Sequence, residues 1–117
     1  MNDWVTNKRP FGVGQELFRE GQPPRDAFLI ERGKIEISRM VGDRKVVLGF
    51  REPGEVVGEM ALIDDNPRSA TAVAVEPAVC VVITKQIFDQ HLARATPLLR
   101  HILKTFTKNL RAMDSRA

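Results

Sequence analysis

The sequence predicts a mainly β domain, a barrel or sandwich of short strands, followed by two helices. Short apolar runs recur at fairly even spacing as far as Thr84, and glycines and prolines separate them, as is typical of barrels and sandwiches. Beyond Thr84 the apolar residues follow helical spacing. A chain of 117 residues is long enough for one domain with a hydrophobic core of its own.

The strands are predicted from alternating apolar and polar side chains. Ile35 and Ile37 alternate with polar neighbours, as in a strand with one buried face. Gly42 and Asp43 follow this strand and suit a two-residue hairpin turn, because glycine adopts a positive φ at little cost. The segments predicted as strands include residues 27–32, 34–38, 44–50, 70–75 and 79–84.

Two helices are predicted after the strands. Thr84 is a favourable N-cap for the first, and the Thr96-Pro97 pair ends it and begins the second, because proline suits the first helical position. The second helix carries an apolar stripe at alternating spacings of four and three, made of Leu99, Leu103, Phe106, Leu110 and Met113. The stripe covers about two heptads, fewer than a coiled coil needs on pattern alone. It predicts either packing against the strands of the same chain or a surface for self-association.

Charge and composition exclude several classes of protein. The net charge of +3 is too small to predict nucleic-acid binding. Basic residues gather near the C-terminus and indicate either a solvated helix face or an anionic partner; they are Arg100, Lys104, Lys108, Arg111 and Arg116. The apolar runs are too short to span a membrane, and residues 1–4 lack the start of a signal peptide. We therefore expect a cytoplasmic protein without a membrane segment.

The sequence contains no recognisable group of residues for catalysis or metal binding. Cys80 is the single cysteine and lies in an apolar run, where it is expected to be a small buried hydrophobic residue. The sequence has neither a metal-ligand motif nor a Ser-His-acid or partnered-cysteine arrangement. We therefore expect a protein that is not an enzyme and that holds no metal and no cofactor.

The segment from Gly58 to Thr71 combines groups that can recognise a phosphate and a sugar. Arg68 is permanently charged and can donate two parallel hydrogen bonds to a phosphate. Glu59 can accept hydrogen bonds from sugar hydroxyls such as a ribose 2′-OH. Gly58 lets the backbone approach a ligand closely, and Ser69 adds a hydroxyl beside Arg68. With about one helical turn between them, these groups predict an anion site next to a carboxylate that reads a sugar.

The order of these residues closely resembles the phosphate-binding cassette of cyclic-nucleotide-binding domains, as in the catabolite activator protein and the regulatory subunits of protein kinase A. The resemblance extends over roughly residues 9–113. It implies an eight-stranded β-roll followed by two C-terminal helices, usually with a small helical element before the roll. In this chain it implies a single domain over residues 1–117, with the roll at about 8–84, the cassette at 58–71 and the helices at 85–117.

The resemblance also implies roles for the cassette residues. Arg68 matches the arginine that pairs with the cyclic phosphate, and Glu59 matches the glutamate that accepts from the ribose 2′-OH. Three further positions match backbone that lies against the sugar and phosphate, and two match the pair that gives a hydroxyl or an amide to the phosphate. They are Gly58, Met60 and Ala61 for the first set, and Ser69 and Ala70 for the second.

The resemblance assigns fewer of the residues that would contact the base of the nucleotide. Leu48 and Gly49 match strand positions that line the base pocket. The residue of the last helix that caps the base is not given by any motif. Asn109, Arg111 and Met113 are candidates by position alone.

The function implied is that of a sensor that binds cAMP, or else cGMP, and passes its occupancy to the C-terminal helices. A homodimer through the last helix is a further expectation. No DNA-binding domain is expected in this chain, because it stops at Ala117 without room for a helix-turn-helix unit. Three alternatives stay open: the sensor half of a transcription regulator whose DNA-binding domain is absent, a dimerising interaction module with a vestigial pocket, and a sensor of a different effector.

Ser69 favours cAMP over cGMP by the same resemblance. A threonine at this position tends to accompany guanine recognition in the family, through a hydroxyl that reaches the guanine amino group. We therefore expect Ser69→Thr to raise the affinity for cGMP. Titration of both nucleotides into parent and variant measures the ratio of the two affinities, and an unchanged ratio would count against this reading.

Overall fold

The structure is a computed structural model that describes residues 3–114. Over this range eight strands form two four-stranded sheets, with three α-helices and one short 3-10 helix. The elements are the 3-10 helix Asp3–Thr6, β1 Lys8–Phe11, β2 Glu16–Phe18, β3 Ala27–Arg32, β4 Ile35–Val41, β5 Arg44–Arg51, β6 Val56–Val57, α1 Glu59–Asp64, β7 Thr71–Ala74, β8 Ala78–Ile83, α2 Lys85–Ala93 and α3 Pro97–Asp114. The predicted β-roll with two C-terminal helices is confirmed. Within the described range no helix is both long and apolar enough to cross a membrane.

The core lies between the two sheets. One sheet has the strand order β1-β8-β3-β6 and the other β2-β7-β4-β5, with antiparallel neighbours throughout. Phe28 of the first sheet stacks on Phe18 of the second, with ring centroids 6.3 Å apart, and meets Phe11 edge-on at 5.7 Å. Ala72 and Ala74 alternate with less buried residues on β7 and point inward. Aromatic residues therefore fill the core where alanines leave room.

The hairpin of β4 and β5 contains a β-bulge. The predicted two-residue turn joins the strands, and their pairing continues regularly until it shifts by one residue beside Ile37 and skips Leu48. A shift of one residue exchanges the two faces of a strand. Beyond the bulge, Arg51 rather than Phe50 lies opposite the fully buried Ile35. The bulge thus turns a charged side chain toward the interior and leaves an aromatic one outside.

The apolar stripe of α3 lies on the outside of the molecule. Thr107 is buried and Arg111 reaches α1, so a polar side of α3 faces the rest of the domain. The stripe residues keep between 38% and 65% of their surface exposed; they are Leu99, Leu103, Phe106, Leu110 and Met113. The expectation that this stripe packs against the strands of its own chain is therefore wrong. The prediction of a self-association surface stands.

Three further local predictions are confirmed: the cap at Thr84, the helix start at Pro97 and the burial of Cys80. The Thr84 hydroxyl accepts a hydrogen bond from the Ile87 N–H at 3.1 Å and caps α2, and α3 begins at Pro97. Cys80 is fully buried, and burial raises the pKa of its thiol to about 11. This is the small buried hydrophobic residue that the sequence predicts.

The C-terminal basic residues divide into two kinds. Arg100 donates to the carbonyl oxygens of Ala93 and Ala95, so it joins the two C-terminal helices. Arg111 donates hydrogen bonds to the Asp64 carboxylate and to the Pro67 carbonyl oxygen. Lys104 and Lys108 are exposed. Arg116 lies outside the described residues.

Gly33, between β3 and β4, packs closely against the main chain of Pro77 and Ala78. Its φ is +91°, and an added Cβ would lie 2.5 Å from the Pro77 carbonyl oxygen and 2.7 Å from the Ala78 Cα. Backbone strain and a clash with main-chain atoms should together make Gly33→Ala lower the free energy of unfolding by about 3 kcal/mol. Urea-induced unfolding measures this change.

Gly42→Ala is the matched control for that prediction. Gly42 also has a positive φ, +62°, but an added Cβ there meets nothing within 4 Å. The control should cost about 1 kcal/mol from backbone strain alone. Equal losses in the two variants would contradict the role of close packing at Gly33.

Candidate functional site

Arg68 occupies the centre of the site as a buried cation. It is 6% exposed. Its guanidinium donates from Nη1 to the Gly58 carbonyl oxygen at 3.0 Å and from Nη2 to the Asp26 carbonyl oxygen, and it stacks 4.2 Å from the centroid of the Phe18 ring. Carbonyl oxygens and an aromatic face stabilise a cation without neutralising it. The arginine is therefore held in place with its charge intact.

The backbone around Arg68 is fixed by the loop that follows β2. The Arg68 N–H donates to the Gln22 carbonyl oxygen at 2.9 Å, and the Gly21 N–H donates to the Arg68 carbonyl oxygen at 2.9 Å. Burial lowers the pKa of the Arg68 guanidinium, the nearby Asp26 opposes this shift, and the nearby Arg111 adds to it. An arginine remains protonated despite such a shift.

Gly58 connects β6 to the short helix α1 in a backbone conformation that favours glycine. Its φ is +83°, and a Cβ would lie 2.7 Å from Arg68 Nη1 and 3.0 Å from the Phe18 ring. A side chain at Gly58 would therefore displace the guanidinium of Arg68 or the Phe18 ring. At the other end of α1, Asp65 adopts a left-handed conformation that ends the helix, and its N–H donates to the Ala61 carbonyl oxygen at 3.0 Å.

A cavity of about 90 Å³ opens between α1, the Arg68 loop and the sheets. Its polar wall contains three arginines, Arg51, Arg68 and Arg111, and one carboxylate, Glu59, which is exposed. Its apolar wall is formed by Phe18, Ile37, Val56 and Val57. The remaining lining residues are Gly58, Met60, Ala61, Ser69 and Ala70. Positive charge dominates one side of the cavity and apolar side chains the other.

The last helix closes one edge of this cavity through Arg111. Its guanidinium donates to both carboxylate oxygens of Asp64, with Nη2 3.0 Å from Oδ1, and to the Pro67 carbonyl oxygen at 3.2 Å. The side chains of Asp64 and Arg111 are each only 18% exposed. This ion pair joins α3 to the end of α1.

Lys85 joins α1 to α2 in a similar way. Its ammonium group donates to the Leu62 carbonyl oxygen at 3.3 Å and pairs with Asp65 at 2.9 Å and Asp89 at 3.2 Å. The hydrogen bond that Lys85 donates to Asp65 makes the largest contribution to raising the pKa of Lys85. Both C-terminal helices therefore contact α1 through a charged side chain.

A family model for the cyclic nucleotide-binding domain matches residues 8–95. The chain belongs to the cyclic-nucleotide-binding domain family. The match contains both sheets, α1 and α2.

Individual members of the family have substantial similarity to this cyclic-nucleotide-binding domain. It is 42% identical over 87 residues to the acetyltransferase Pat of Mycolicibacterium smegmatis, across 73% of this chain and 26% of that protein. It is 32% identical over 109 residues to the cyclic AMP receptor protein of Thermus thermophilus, across 92% of this chain and 50% of that protein. Among solved structures, the cAMP-bound EAL enzyme Bd1971 superimposes with a TM-score of 0.87 and 29% identity, over 92% of this chain and 29% of the enzyme. The chain spans half or less of the length of each of these three proteins.

All seven cassette residues singled out in the sequence lie around the cavity of this cyclic-nucleotide-binding domain. They are Gly58, Glu59, Met60, Ala61, Arg68, Ser69 and Ala70. Their roles toward a ligand stay predictions. The structure brings them together because the helical turn between Gly58 and Arg68 folds the two ends of the segment against each other.

Leu48 and Gly49 are not among the residues that line the cavity. Leu48 is 42% exposed at the bulge. Gly49 lies opposite the cavity residue Ile37, and a Cβ there would be 3.3 Å from Arg51 Nη1. Within β5 it is therefore Arg51 that lines the cavity. The roles of Leu48 and Gly49 in a base pocket stay predictions.

Of the three capping candidates, Arg111 lines the cavity. Asn109 and Met113 are exposed on α3. Sequence reasoning missed Arg51 and Phe18, although both belong to the cavity wall. Phe18 could have been noticed as the inward residue of a short strand, whereas Arg51 turns inward because of a bulge that no local pattern predicts.

Proposed function

We propose that this domain binds a cyclic nucleotide, with cAMP preferred, through Arg68 at the cyclic phosphate and Glu59 at the ribose 2′-OH. The observation that carries the proposal is that a buried arginine and an exposed carboxylate share one small cavity in a chain of this family. The similar EAL enzyme Bd1971 has solved structures in cAMP-bound and cGMP-bound forms. Those nucleotides are therefore the first ligands to test.

The chemistry of the cavity suits such a ligand. Guanidinium groups form charge-assisted hydrogen bonds with phosphate oxygens, and Arg68 is already oriented by its carbonyl partners. Glu59 can accept a hydrogen bond from a sugar hydroxyl. It cannot bind a phosphate oxygen in this way, because that oxygen has no hydrogen to donate. Ser69 and the backbone at Ala70 offer further donors beside Arg68. The apolar wall opposite is suited to the uncharged base.

We further propose that the domain is regulatory and passes its occupancy to α2 and α3. Both helices are tied to α1 by charged side chains, Lys85 and Arg111, so a shift of α1 would reach them directly. A ligand moves such an equilibrium only if it binds one arrangement more tightly than the other. In this proposal the chain binds and does not catalyse. A cytoplasmic location stays a prediction.

The exposed stripe of α3 favours a second proposal, that the chain forms a homodimer through this helix. Its apolar residues face away from the domain while polar residues face inward. An apolar helix face exposed in this way is typical of protein interfaces. Sedimentation equilibrium of the chain and of a Phe106→Lys variant would test this proposal separately from nucleotide binding.

Calorimetric titration with cAMP, cGMP and 5′-AMP tests the main proposal. Saturable binding of a cyclic nucleotide, much tighter than that of 5′-AMP, is the expected result. The absence of heat with all three, from a well-folded sample, would overturn it. The vestigial-pocket alternative would then be preferred.

Arg68→Ala should weaken cAMP binding by about 3–5 kcal/mol, because the cyclic phosphate would be left desolvated without its partner. Arg44→Ala is the matched control, since Arg44 is exposed in the β4–β5 hairpin and does not line the cavity. Circular dichroism would establish that both variants fold. A loss of less than about tenfold, or about 1.4 kcal/mol, for Arg68→Ala would mean that Arg68 is not the phosphate anchor.

Glu59→Ala should remove discrimination at the 2′ position of the ribose. The parent should bind 2′-deoxy-cAMP more weakly than cAMP, because Glu59 would lose its donor, whereas the variant should bind the two nucleotides equally. Paired titrations of both ligands into both proteins measure this coupling. If the variant kept the parent's preference, another group would have to read the 2′-OH.

A further inference from the structure

A second cavity, of about 500 Å³, shares the side chains of Arg68 and Phe18 with the cassette cavity described above. Residues of β1, β2 and β3 and of the loop that joins β2 to β3 line it. Its volume lies in the range of roughly 300–1,000 Å³ that is usual for sites of small organic molecules. Arg68 is the one cassette residue in its wall, so a ligand there would contact a different part of the roll.

Positive charge exceeds negative charge in the second cavity. Three arginines line it, one from β1, one from the loop before β3 and one from the cassette; they are Arg9, Arg25 and Arg68. Among its lining residues Asp26 carries the one carboxylate. Three positive charges against one negative charge leave a formal excess of two. A ligand with about two negative charges would balance this excess.

Arg9 and Arg25 are available to such a ligand. Both are exposed, and none of the ion pairs among residues 3–114 includes either of them. The Arg9 guanidinium lies 5.9 Å from the centroid of the buried Phe28 ring, a cation–π contact that positions it at the cavity wall. Arg68 differs, because two carbonyl oxygens already bind its guanidinium. It adds charge to the cavity, whereas the other two arginines can also donate new hydrogen bonds.

The rest of the wall supplies apolar contacts and one further donor. Leu17, Pro23 and the Phe28 ring line the cavity beside the arginines. Gln22 also lines it, and its side-chain oxygen accepts a hydrogen bond from the Arg19 N–H at 2.8 Å. The amide nitrogen of Gln22 therefore remains as a donor. This combination suits a ligand that has an anionic end and an apolar body.

We propose that the second cavity binds a small phosphate monoester, with the phosphate between Arg9 and Arg25 and the apolar part of the ligand against Leu17 and Phe28. A phosphate monoester carries a charge of about −1.5 to −2 at pH 7, which matches the excess of positive charge. Guanidinium groups donate paired hydrogen bonds to phosphate oxygens. The site is separate from the cassette cavity, and the inference does not depend on the proposed function.

Calorimetric titration with phenyl phosphate tests the site, because this probe joins a phosphate monoester to an apolar ring. Arg9→Gln and Arg25→Gln should each weaken binding at least about fivefold, since each variant loses charge-assisted hydrogen bonds to the phosphate. Arg44→Gln is the matched control, because Arg44 is also exposed but lies outside the cavity wall, and it should bind within about twofold of the parent. A parent without saturable binding, or equal losses in all three variants, would overturn the proposal.

Phenyl sulfate tests the match of charge. It keeps the ring and the tetrahedral anion of phenyl phosphate but carries a single negative charge. We expect it to bind the parent more weakly than phenyl phosphate does. Equal binding of the two probes would overturn the assignment of the ligand as a phosphate monoester.

A titration with phenyl phosphate in the presence of saturating cAMP distinguishes the two cavities. Phenyl phosphate should still bind, with an affinity lowered by no more than about tenfold through repulsion between two anions near Arg68. An affinity that kept falling as more cAMP was added would place the probe in the cassette cavity and overturn the proposal. If the parent binds no cyclic nucleotide, the proposed function is refuted, and the arginine variants, compared without nucleotide, still decide whether the second cavity is a site.

Discussion

The site depends on one buried guanidinium. Arg68 binds the Gly58 and Asp26 carbonyl oxygens with its side chain and pairs with the Gln22 loop through its backbone. The loop between β2 and β3 and the start of the cassette meet at this residue, and the Phe18 ring stacks against its guanidinium. A charge buried in this way is stable only while its partners stay in place. The site therefore requires that the loop after β2, Gly58 and the Phe18 ring keep their positions around Arg68.

Most of the architecture is readable from local sequence signals. The alternation around Ile35, the hairpin turn after β4, the cap at Thr84 and the start of α3 at Pro97 are each set by residues within a few positions of the element. The cassette is readable for the same reason, because Gly58 and Arg68 are separated by one short helix. Their contact closes over that one turn, and the distant Gln22 loop then holds the Arg68 backbone.

The features that could not be predicted depend on register and on tertiary packing. The bulge at Leu48 places Arg51 opposite Ile35 and moves Phe50 to the outer face, where its ring lies 4.8 Å from the Lys34 ammonium group. One extra residue in a strand exchanges its faces, and nothing in the local pattern fixes where it is inserted. The side of α3 that faces the domain is likewise chosen by Arg111, which finds its partner 47 residues earlier in the chain.

The short helix α1 contacts both C-terminal helices, so the relay that we propose would pass through it. Ala61 and Leu62 bury one face of α1 against the roll, while its end presents charged groups to both following helices. Packed interiors transmit a displacement and do not absorb it, whereas the more exposed contact between Lys85 and Asp65 can exchange partners at modest cost. A ligand that draws the cassette toward Arg68 would thus move α1 as a unit. In the proposed relay, the response would depend on which charged contact, at Lys85 or at Arg111, breaks first.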